Sequence, residues 1–478
     1  MDVNSLCSTP DLTMKTSLLP ALACAALLSC VLRPDAVAQT SFIVGSTTVN
    51  VMEMATGLEV PWDMVLGPDG WIWFTQAAGS VSRMDPDDGT VELIYTLPDV
   101  YLYGFTAGLH SMAFHPDFAD QPYVYLHYLI SNTESVVKRF YYDADLGTFT
   151  SASEHLLDLT LAAGPSHNGS RMIVDDQGMF LLCLGETMSA SASAQDPASS
   201  HGKVLRFDPE GGIPADNPVA GSYAYNWGHR NPQGMVKAPN GYIYNSAHGE
   251  ANDDEVNIIL PNRDYGWPTV RGLCDTPTEI TYCDANDVVE PIHEFTAEVV
   301  APAGMDYYDD PAIPGWQNSL LVATLRGRQL HQLQLNPDGD QVVSEQIFLA
   351  DDYGRLRDVL VHPDGRVFIC TSNHDWSGTP GPTDDRIIAL VNNAIHTEVS
   401  ATTAPVRSMW FDQQARSLRF SGATDGSERV SVIDASGRVV LTKSVINGLV
   451  GLPVLAPGIY LATTHGAGTT RSVPFAIN

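Results

Sequence analysis

The stretch 228–268 concentrates residue types that could do chemistry. Arg230 and Asn231 form a polar pair, and three consecutive acids follow at 253–255. Acids beside glycine and free main-chain carbonyls offer the hard oxygen ligands that calcium prefers. The arginine offers a planar cation for a carboxylate or a polarised carbonyl. The combination predicts an anionic, oxygen-rich ligand held between a metal ion and a cation.

The sequence predicts short β-strands as the elements that position these residues. Four segments share one pattern, a turn ending in glycine followed by β-branched and aromatic residues: GPDGWIWFT from Gly67, DDQGMFLLC from Asp175, APNGYIYNS from Ala238 and HPDGRVFIC from His362. This pattern is typical of β-hairpins. Short strands at this density over about 340 residues predict an all-β fold, a six-bladed β-propeller, with a pair of sandwiches as the alternative. Propellers bind ligands on loops from several blades, so we expect site residues scattered along the chain.

The charge of the chain restricts its partners. There are 25 Lys and Arg against 56 Asp and Glu, a net charge of −31 over 478 residues. Such a surface repels phosphate backbones and anionic membranes, which argues against nucleic acid or such a membrane as partner. The acidity fits solubility in an extracellular or salty setting.

The N-terminal segment, residues 1–38, reads as an export signal. A start at Met14 places one lysine before the apolar run 18–32, and AVA at 36–38 fits a small-x-small cleavage site. A lipoprotein cleavage before Cys30 is a less well placed alternative. We therefore expect an exported protein that passes through the periplasm to the cell surface or the extracellular space.

Four cysteines remain after this cleavage. Cys274 and Cys283 bracket a short polar loop, and in an oxidising compartment they predict a local disulfide. Cys183 and Cys370 lie in apolar, strand-like runs and read as buried thiols. Their spacing fits no zinc site.

The sequence changes character after residue 395. A polar, Thr-rich linker at 396–409 precedes short strands and turns at 410–478, which predict a small β-sandwich-like domain. A module of this size is too small to carry the chemistry alone. Its motifs IDASGRVV and LAPGIYLATT resemble the C-terminal sorting domain of type IX secretion, which implies the secretion machinery as a partner.

An ordered set of motifs runs through residues 39–395: VPWDMVLGPDG, AGLHSMAFHPDF, SHNGSRMIVDDQG, GHRNPQG, HGEANDDEVN, DYGWP, ATLRGRQL and GRLRDVLVHPDG. In this order they resemble the soluble quinoprotein sugar dehydrogenases, the glucose/sorbosone and aldose sugar dehydrogenase family. The resemblance implies a six-bladed propeller that carries pyrroloquinoline quinone (PQQ) and calcium. It also implies oxidation of an aldose at C1 to the lactone, by hydride transfer to PQQ and then to an external electron acceptor.

The resemblance assigns the acid–base chemistry to two residues. His167 falls on the family's catalytic base, which takes the proton of the anomeric hydroxyl; histidine suits this role because its ordinary pKa lies near working pH. Glu186 falls where the family has an aspartate that orients this histidine. Ser166 stands where glucose-type members carry an aspartate, so the surroundings of the base depart from the family pattern twice.

The same resemblance implies a cofactor site made largely of cations. Arg230 and Asn231 match the pair at the quinone's reactive carbonyl, where Arg230 would stabilise the developing oxyanion. PQQ carries three carboxylates, and an Arg-x-Arg spacing puts two guanidinium groups on one face of a strand. The positions implied to bind the cofactor are Gln76, His167, Arg230, Asn231, Arg326, Arg355 and Arg357.

Two calcium sites are implied. Gly249 and Glu250 match main-chain ligands of the calcium that bridges to the quinone. Glu255 and Tyr265 match a second, structural site, Tyr265 through its main chain. Calcium fits better than zinc or copper because the nearby ligands are oxygens. Residues 253–254 read equally well as solvated loop acids or helix caps.

The substrate is the least determined part of this interpretation. The family's substrate-flanking tryptophan and threonine fall near Ala297 and Val299. This predicts an open, less polar rim, and with it a broader aldose preference or a non-glucose substrate. The sequence leaves open a monomer or a homodimer. Two other functions are weighed: a non-catalytic carbohydrate- or protein-binding propeller, and a calcium-dependent lactonase-type hydrolase. The presence of His167 and the arginines favours the dehydrogenase.

Overall fold

A computed structural model describes residues 41–103, 107–150, 154–155, 161–188, 191–296 and 299–395, and in the C-terminal part 409–412, 417–420, 429–434, 438–445, 449–453, 455–466 and 469–477. The predicted signal peptide, residues 1–38, lies outside the described residues, as does nearly all of the predicted linker, 396–409. Among the helices within the described ranges, none is long and apolar enough to cross a membrane.

Within the described residues from 41 to 391, six antiparallel sheets form a ring of blades, whose innermost strands contact those of the neighbouring blades. Blade one consists of the strands Pro61–Leu66, Ile72–Gln76, Ser80–Met84 and Val91–Thr96. Blade two consists of Leu109–Phe114, Tyr123–Leu129 and Glu134–Asp143, with the short strands Thr148–Phe149, Glu154–His155 and Leu161–Ala162. Blade three consists of Arg171–Val174, Phe180–Leu184, Lys203–Phe207 and Ala224–Trp227. Blade four consists of Pro232–Lys237, Ile243–Ala247, Asp254–Ile258 and His293–Phe295. Blade five consists of Pro302–Tyr308, Ser319–Thr324, Leu330–Leu335 and Val342–Phe348. Blade six consists of Leu356–Val361, Val367–Thr371 and Ile387–Val391 together with the N-terminal strands Thr47–Ala55 and Ser41–Val44. Short 3-10 helices lie at Ser191–Gln195 and Pro314–Trp316.

The sixth blade is completed by the N-terminal strands. Thr47–Ala55 pairs with Ile387–Val391, with Val51 opposite Leu390, and Ser41–Val44 pairs with the other edge of Thr47–Ala55. This pairing fastens the start of the propeller to its end. The predicted six-bladed, all-β propeller is therefore confirmed, and the alternative of paired sandwiches is wrong for this part of the chain.

The four repeated turn segments form equivalent hairpins. Each joins the innermost strand of a blade to the second strand, and its turn glycine adopts a φ between +75° and +91°, which residues with a Cβ adopt only at a cost. These glycines are Gly70, Gly178, Gly241 and Gly365. Because these turns share one end of the ring, the residues that precede the innermost strands meet at the other end.

The innermost strands also hold a buried ion network in the central channel. Arg171 donates to the carboxylates of Asp63 and Asp358, the latter at 2.9 Å. Asp63 accepts the backbone N–H of Met112 from blade two at 2.9 Å, and Asp358 accepts that of Met64 from blade one at 2.7 Å. Each carboxylate thus ties its own blade to the next, and Arg171 compensates both buried charges.

The predicted local disulfide joins Cys274 and Cys283. Most of the segment between them is not the expected loop but belongs to an α-helix, Pro277–Asn286, which continues beyond Cys283. The hydroxyl oxygen of Thr276 accepts the Glu279 N–H at 3.3 Å, and the Glu279 carboxylate accepts the Thr276 N–H at 3.1 Å. This capping box, followed by proline at the first helical position, is the sequence signal for the helix.

The other two mature cysteines behave as predicted. Cys183 in blade three and Cys370 in blade six are buried and free. Burial raises the pKa of both thiols. Both are therefore inert members of the core.

The C-terminal part forms two further sheets. One consists of Met409–Asp412, Ser417–Phe420 and Leu449–Gly451, and the other of Val439–Ser444, Arg429–Asp434, Gly458–Gly466 and Thr469–Ile477. Both sheets contribute to one apolar core, which contains Leu418, Val430, Val432, Val450, Tyr460 and Ala462. The predicted β-sandwich-like fold of the tail is confirmed.

Candidate active site

A cavity of about 440 Å³ opens at the end of the ring where the innermost strands begin. This position explains how residues more than 300 positions apart in the sequence, from Trp62 to Ser377, come together. Eight residues predicted for cofactor or metal binding line it: His167, Arg230, Asn231, Gly249, Glu250, Arg326, Arg355 and Arg357.

His167 and Glu186 form a hydrogen-bonded pair at the cavity. Nδ1 of His167 lies 2.7 Å from Oε1 of Glu186, which is 2% exposed. Burial raises the pKa of the Glu186 carboxyl, but the hydrogen bonds from His167 and from Ser191 outweigh it, and the net shift is downward. The Ser191 hydroxyl donates to Oε2 at 2.9 Å. An ionised Glu186 can only accept, so Nδ1 carries its proton and Nε2 is left to take one up.

The backbone around this pair is constrained. His167 has a φ of 54°, a left-handed conformation that is uncommon outside glycine and asparagine and that recurs at functional sites. Its carbonyl accepts the Thr187 N–H at 3.0 Å. A Cβ on Gly185 would lie 2.1 Å from that carbonyl oxygen, so only glycine fits there. The Glu186 N–H in turn donates to the Arg230 carbonyl at 2.8 Å, which fixes the base beside the arginine.

Arg230 is half-enclosed by its neighbours. Its guanidinium lies 5.3 Å from the ring centroid of Trp267 and donates from Nη1 to the His248 carbonyl at 3.2 Å. Burial lowers the pKa of Arg230. Asn231 accepts the Gly169 N–H at 3.1 Å and contacts Nδ1 of His248 at 3.2 Å. The DYGWP segment therefore supports Arg230 from behind through Trp267.

Arg355 and Arg357 share one carboxylate that sequence analysis missed. Oδ2 of Asp375 lies 2.7 Å from Nη2 of Arg355 and 3.2 Å from Nη2 of Arg357. Arg357 also lies 4.0 Å over the ring of Trp62. Burial lowers the pKa of Arg357 to about 10. The two guanidinium groups do lie on one face of the strand, as the Arg-x-Arg spacing predicts, but Asp375 holds them there.

Hairpin register could have revealed Asp375. The GPDG-type turn at Gly365 pairs Leu356 with Thr371. A side chain shortly after Thr371 therefore returns beside Arg355, and an acid at that point is the expected partner of an arginine.

The lining of the cavity carries more positive than negative charge. Among the described residues it contains four arginines, Arg230, Arg326, Arg355 and Arg357, against the carboxylates of Glu250 and Asp375. Glu250 pairs outward with Arg271 at 2.7 Å. On a chain with a net charge of −31, a cationic pocket points to an anionic ligand.

Buried donors and acceptors without partners also lie here. Within the described part of the chain, Nε of Arg230, Nε of Arg357 and Nε2 of His248 are buried and have no hydrogen-bond partner. The exposed guanidinium of Arg326 has no side-chain partner among the described residues either. Buried polar groups are normally satisfied, so these atoms indicate a polar ligand in the cavity.

The family profile described as glucose/sorbosone dehydrogenase matches residues 58–377, more than half of the 478 residues. The chain belongs to the glucose/sorbosone dehydrogenase family. The match begins just before Trp62 and ends at Ser377, so it spans every residue that lines the cavity. Membership makes the protein an oxidoreductase.

The comparison with individual relatives agrees with this membership. The chain is 26% identical to quinoprotein glucose dehydrogenase B of Acinetobacter calcoaceticus over 427 residues, covering 71% of this chain and 88% of the relative. It is 28% identical to an aldose sugar dehydrogenase of Escherichia coli K12 over 339 residues, covering 68% and 90%. The solved PQQ-bound aldose sugar dehydrogenase of Streptomyces coelicolor is similar with a TM-score of 0.63 and 28% identity, covering 72% of this chain and 98% of that one.

Three of the positions predicted to bind the cofactor or a metal ion do not line the cavity. Gln76 ends its strand opposite Pro61, and its Oε1 accepts the Glu59 N–H at 2.7 Å. Glu255 lies in a strand opposite Glu294; burial, together with that carboxylate, raises the pKa of Glu255 to about 8. The ring of Tyr265 stacks on His229 at 4.3 Å, and its hydroxyl donates to the Ile258 carbonyl at 2.7 Å.

The turn predicted to bind calcium is held by Asp254. Its Oδ1 accepts the Gly249 N–H at 2.9 Å, and its Oδ2 accepts the N–H groups of Val300 and Ala301 at 2.7 and 2.8 Å. Asp254 is fully buried, so its interpretation as a solvated acid or a helix cap is wrong. A Cβ on Gly249 would lie 1.9 Å from the Asn252 carbonyl oxygen, which makes glycine necessary.

Three of the four predicted calcium ligands, Gly249, Glu250 and Tyr265, would act through main-chain oxygens. Among the described residues, no group of three or more His, Cys, Asp or Glu side chains is arranged to hold a metal ion. At the rim, Val299 lines the cavity, and Ala297 lies outside the described residues.

Proposed function

We propose that this protein is an exported quinoprotein dehydrogenase that oxidises an aldose at C1 to the lactone. The observation that carries the proposal is the joint presence of an oriented base, His167, and four arginines around one cavity at the channel mouth. A lactonase-type hydrolase or a passive binding propeller has no need of that combination.

The residues present fit PQQ. Its three carboxylates and two quinone carbonyls are acceptors. The cavity offers the Nε atoms of Arg230 and Arg357, which have no partner among the described residues, and the exposed guanidinium of Arg326. Arg326, Arg355 and Arg357 would hold carboxylates, and Arg230 with Asn231 would face the reactive carbonyl. Main-chain carbonyls of Gly249 and Glu250 would hold a calcium ion between the chain and the cofactor. PQQ supplies the acceptor for the C1 hydride.

The chain's own residues provide the proton chemistry. Nε2 of His167 takes the proton of the C1 hydroxyl while the C1–H bond breaks, and the C1–O bond becomes the carbonyl of the lactone. Glu186 holds the ring in the tautomer that leaves Nε2 free and stabilises the imidazolium that forms. Arg230 offers a fixed positive charge where negative charge develops. Two electrons then leave to an external acceptor.

The proposal includes the two ends of the chain. Residues 1–38 would direct export, and residues 410–478 would be recognised by the type IX secretion machinery.

The second calcium would be held by Glu255 and the main chain of Tyr265. Support for these parts comes from the sequence motifs alone.

Reconstitution tests the function. The full chain is purified without cofactor and supplied with calcium, PQQ, both or neither, and dye reduction is followed across a panel of aldoses. We expect aldose-dependent reduction only with both additions, with lactone as product. Cofactor binding without turnover of any aldose would favour the binding-protein alternative. Absence of cofactor binding would overturn the quinoprotein assignment.

A further inference from the structure

Trp376 occupies an unusual position at the cavity. It lines the cavity, yet its side chain is 72% exposed. An exposed indole at the opening of a polar pocket offers an apolar face to a ligand bound there.

The backbone that carries Trp376 is well fixed. The preceding Asp375 is buried and accepts the Ser377 N–H at its Oδ1, and its carbonyl accepts the Gly378 N–H, both at 3.0 Å. A Cβ on Gly378 would lie 2.1 Å from the Asn373 carbonyl oxygen, so the turn is tightly packed. The exposure of the indole therefore does not reflect a loose loop. Because the loop is already ordered, binding a ligand to the indole would cost little conformational entropy.

A second exposed apolar side chain lies on the other side of the ring. Met188 follows the second strand of blade three, lines the same cavity and is 61% exposed. Blades three and six are opposite each other in a ring of six. The Ser166 hydroxyl donates to the Met188 sulfur at 2.6 Å. The cavity thus has an aromatic and a thioether side chain that are exposed, whereas the base and three of the arginines, Arg230, Arg355 and Arg357, are more buried.

This division matches the two-sided chemistry of a sugar ring. An aldose in its pyranose form presents hydroxyl groups around its edge and C–H groups on its faces. The C–H groups carry partial positive charge and pack on the negative face of an indole, while the hydroxyls require donors and acceptors such as those of the base and the arginines. A flexible, polarisable thioether can cover the opposite face of differently shaped sugars.

We propose that Trp376 is the platform for the substrate's pyranose ring and that Met188 covers its other face, an inference that rests on the proposed function. The platform substitutes for the aromatic residue expected near position 297 or 299, where this chain has alanine and valine. Affinity for the sugar then depends on Trp376, and affinity for the cofactor does not.

Steady-state kinetics of the full chain loaded with PQQ and calcium test the platform. Trp376→Ala should raise KM for aldopyranoses on the order of tenfold, with kcat and PQQ affinity within about twofold of wild type. Trp376→Phe, which keeps an aromatic face, should recover most of the loss. Trp71→Ala is the matched control, because Trp71 lies in a turn of blade one under Arg83 and outside the cavity; its KM should equal that of wild type.

Direct sugar binding, measured by saturation-transfer NMR on the same variants, separates this proposal from the proposed function. Binding that depends on Trp376 without any turnover would refute the dehydrogenase and leave the platform. Turnover with an unchanged KM in Trp376→Ala would overturn the platform alone, as would a parallel loss of PQQ affinity. A wild-type chain that neither binds nor oxidises any aldose would overturn both.

Discussion

The carboxylate of Asp375 lies 2.7 Å from the guanidinium of Arg355 and is itself inaccessible to solvent. The same oxygen contacts Arg357, so one buried negative charge holds two cations at the cavity. Unpaired, the two guanidinium groups would repel each other in a partly buried place. Asp375 therefore allows two cations to face one ligand, while the other arginines keep the pocket positive.

The clamp predicts a specific loss of cofactor affinity. Replacing both Arg355 and Arg357 by alanine removes several charge-assisted hydrogen bonds to a carboxylate and should weaken PQQ binding on the order of 100-fold. Isothermal titration of the calcium-loaded protein measures this. Arg83→Ala is the control, because Arg83 pairs with Asp69 and Glu92 at the outer edge of blade one. Equal affinity in the double variant and the control would contradict the clamp.

The base predicts a loss of turnover without a loss of cofactor. His167→Ala should lower kcat on the order of 100-fold or more, because it removes the base proposed to take the C1 proton, and PQQ affinity should persist. Glu186→Gln keeps an acceptor for Nδ1 but loses the charge that stabilises the imidazolium, so an intermediate loss is expected.

A second histidine–glutamate pair offers the matched control. His331 Nδ1 lies 2.5 Å from Glu345 in blade five, outside the cavity. Glu345→Gln should leave kcat unchanged in the same dye assay. A similar decrease in Glu186→Gln and Glu345→Gln would show a general effect on folding rather than a role of Glu186 in orienting the base.

Some features of the fold and of the candidate site could be predicted from the sequence, and others could not. The Gly-turn hairpins predicted the blades because a turn and its following strand are encoded locally. His167 and the four arginines, which the ordered motifs singled out, line one cavity. Asp375 was missed because its partners are fixed by hairpin register, and Trp376 because exposure is not encoded in residue type. The helix after Thr276 was missed because its apolar periodicity is weak, although the sequence contains the residues of its capping box.

The buried ion network predicts a large stability effect far from the site. Arg171→Met would leave Asp63 and Asp358 buried without their cation and should lower the free energy of unfolding by about 3–5 kcal/mol. The partly exposed counterpart, Arg83→Met, removes ion pairs at the protein surface and should lower the free energy of unfolding by only about 1 kcal/mol or less. Denaturant unfolding followed by tryptophan fluorescence measures both. A loss for Arg171→Met no larger than for Arg83→Met would show that the channel carboxylates are compensated in another way.

The closure of the ring predicts which end of the chain can be removed. Thr47–Ala55 supplies a strand to blade six, whereas the strands after residue 408 pair only with one another among the described residues. Deleting residues 400–478 should therefore leave the melting temperature of the propeller and its aldose-dependent dye reduction unchanged. Deleting residues 39–55 removes fewer residues but exposes the edge of Ile387–Val391, and it should abolish cooperative folding. Calorimetry and activity of the two truncations side by side decide this, and loss of propeller folding on removal of the tail would refute the independence of the two parts.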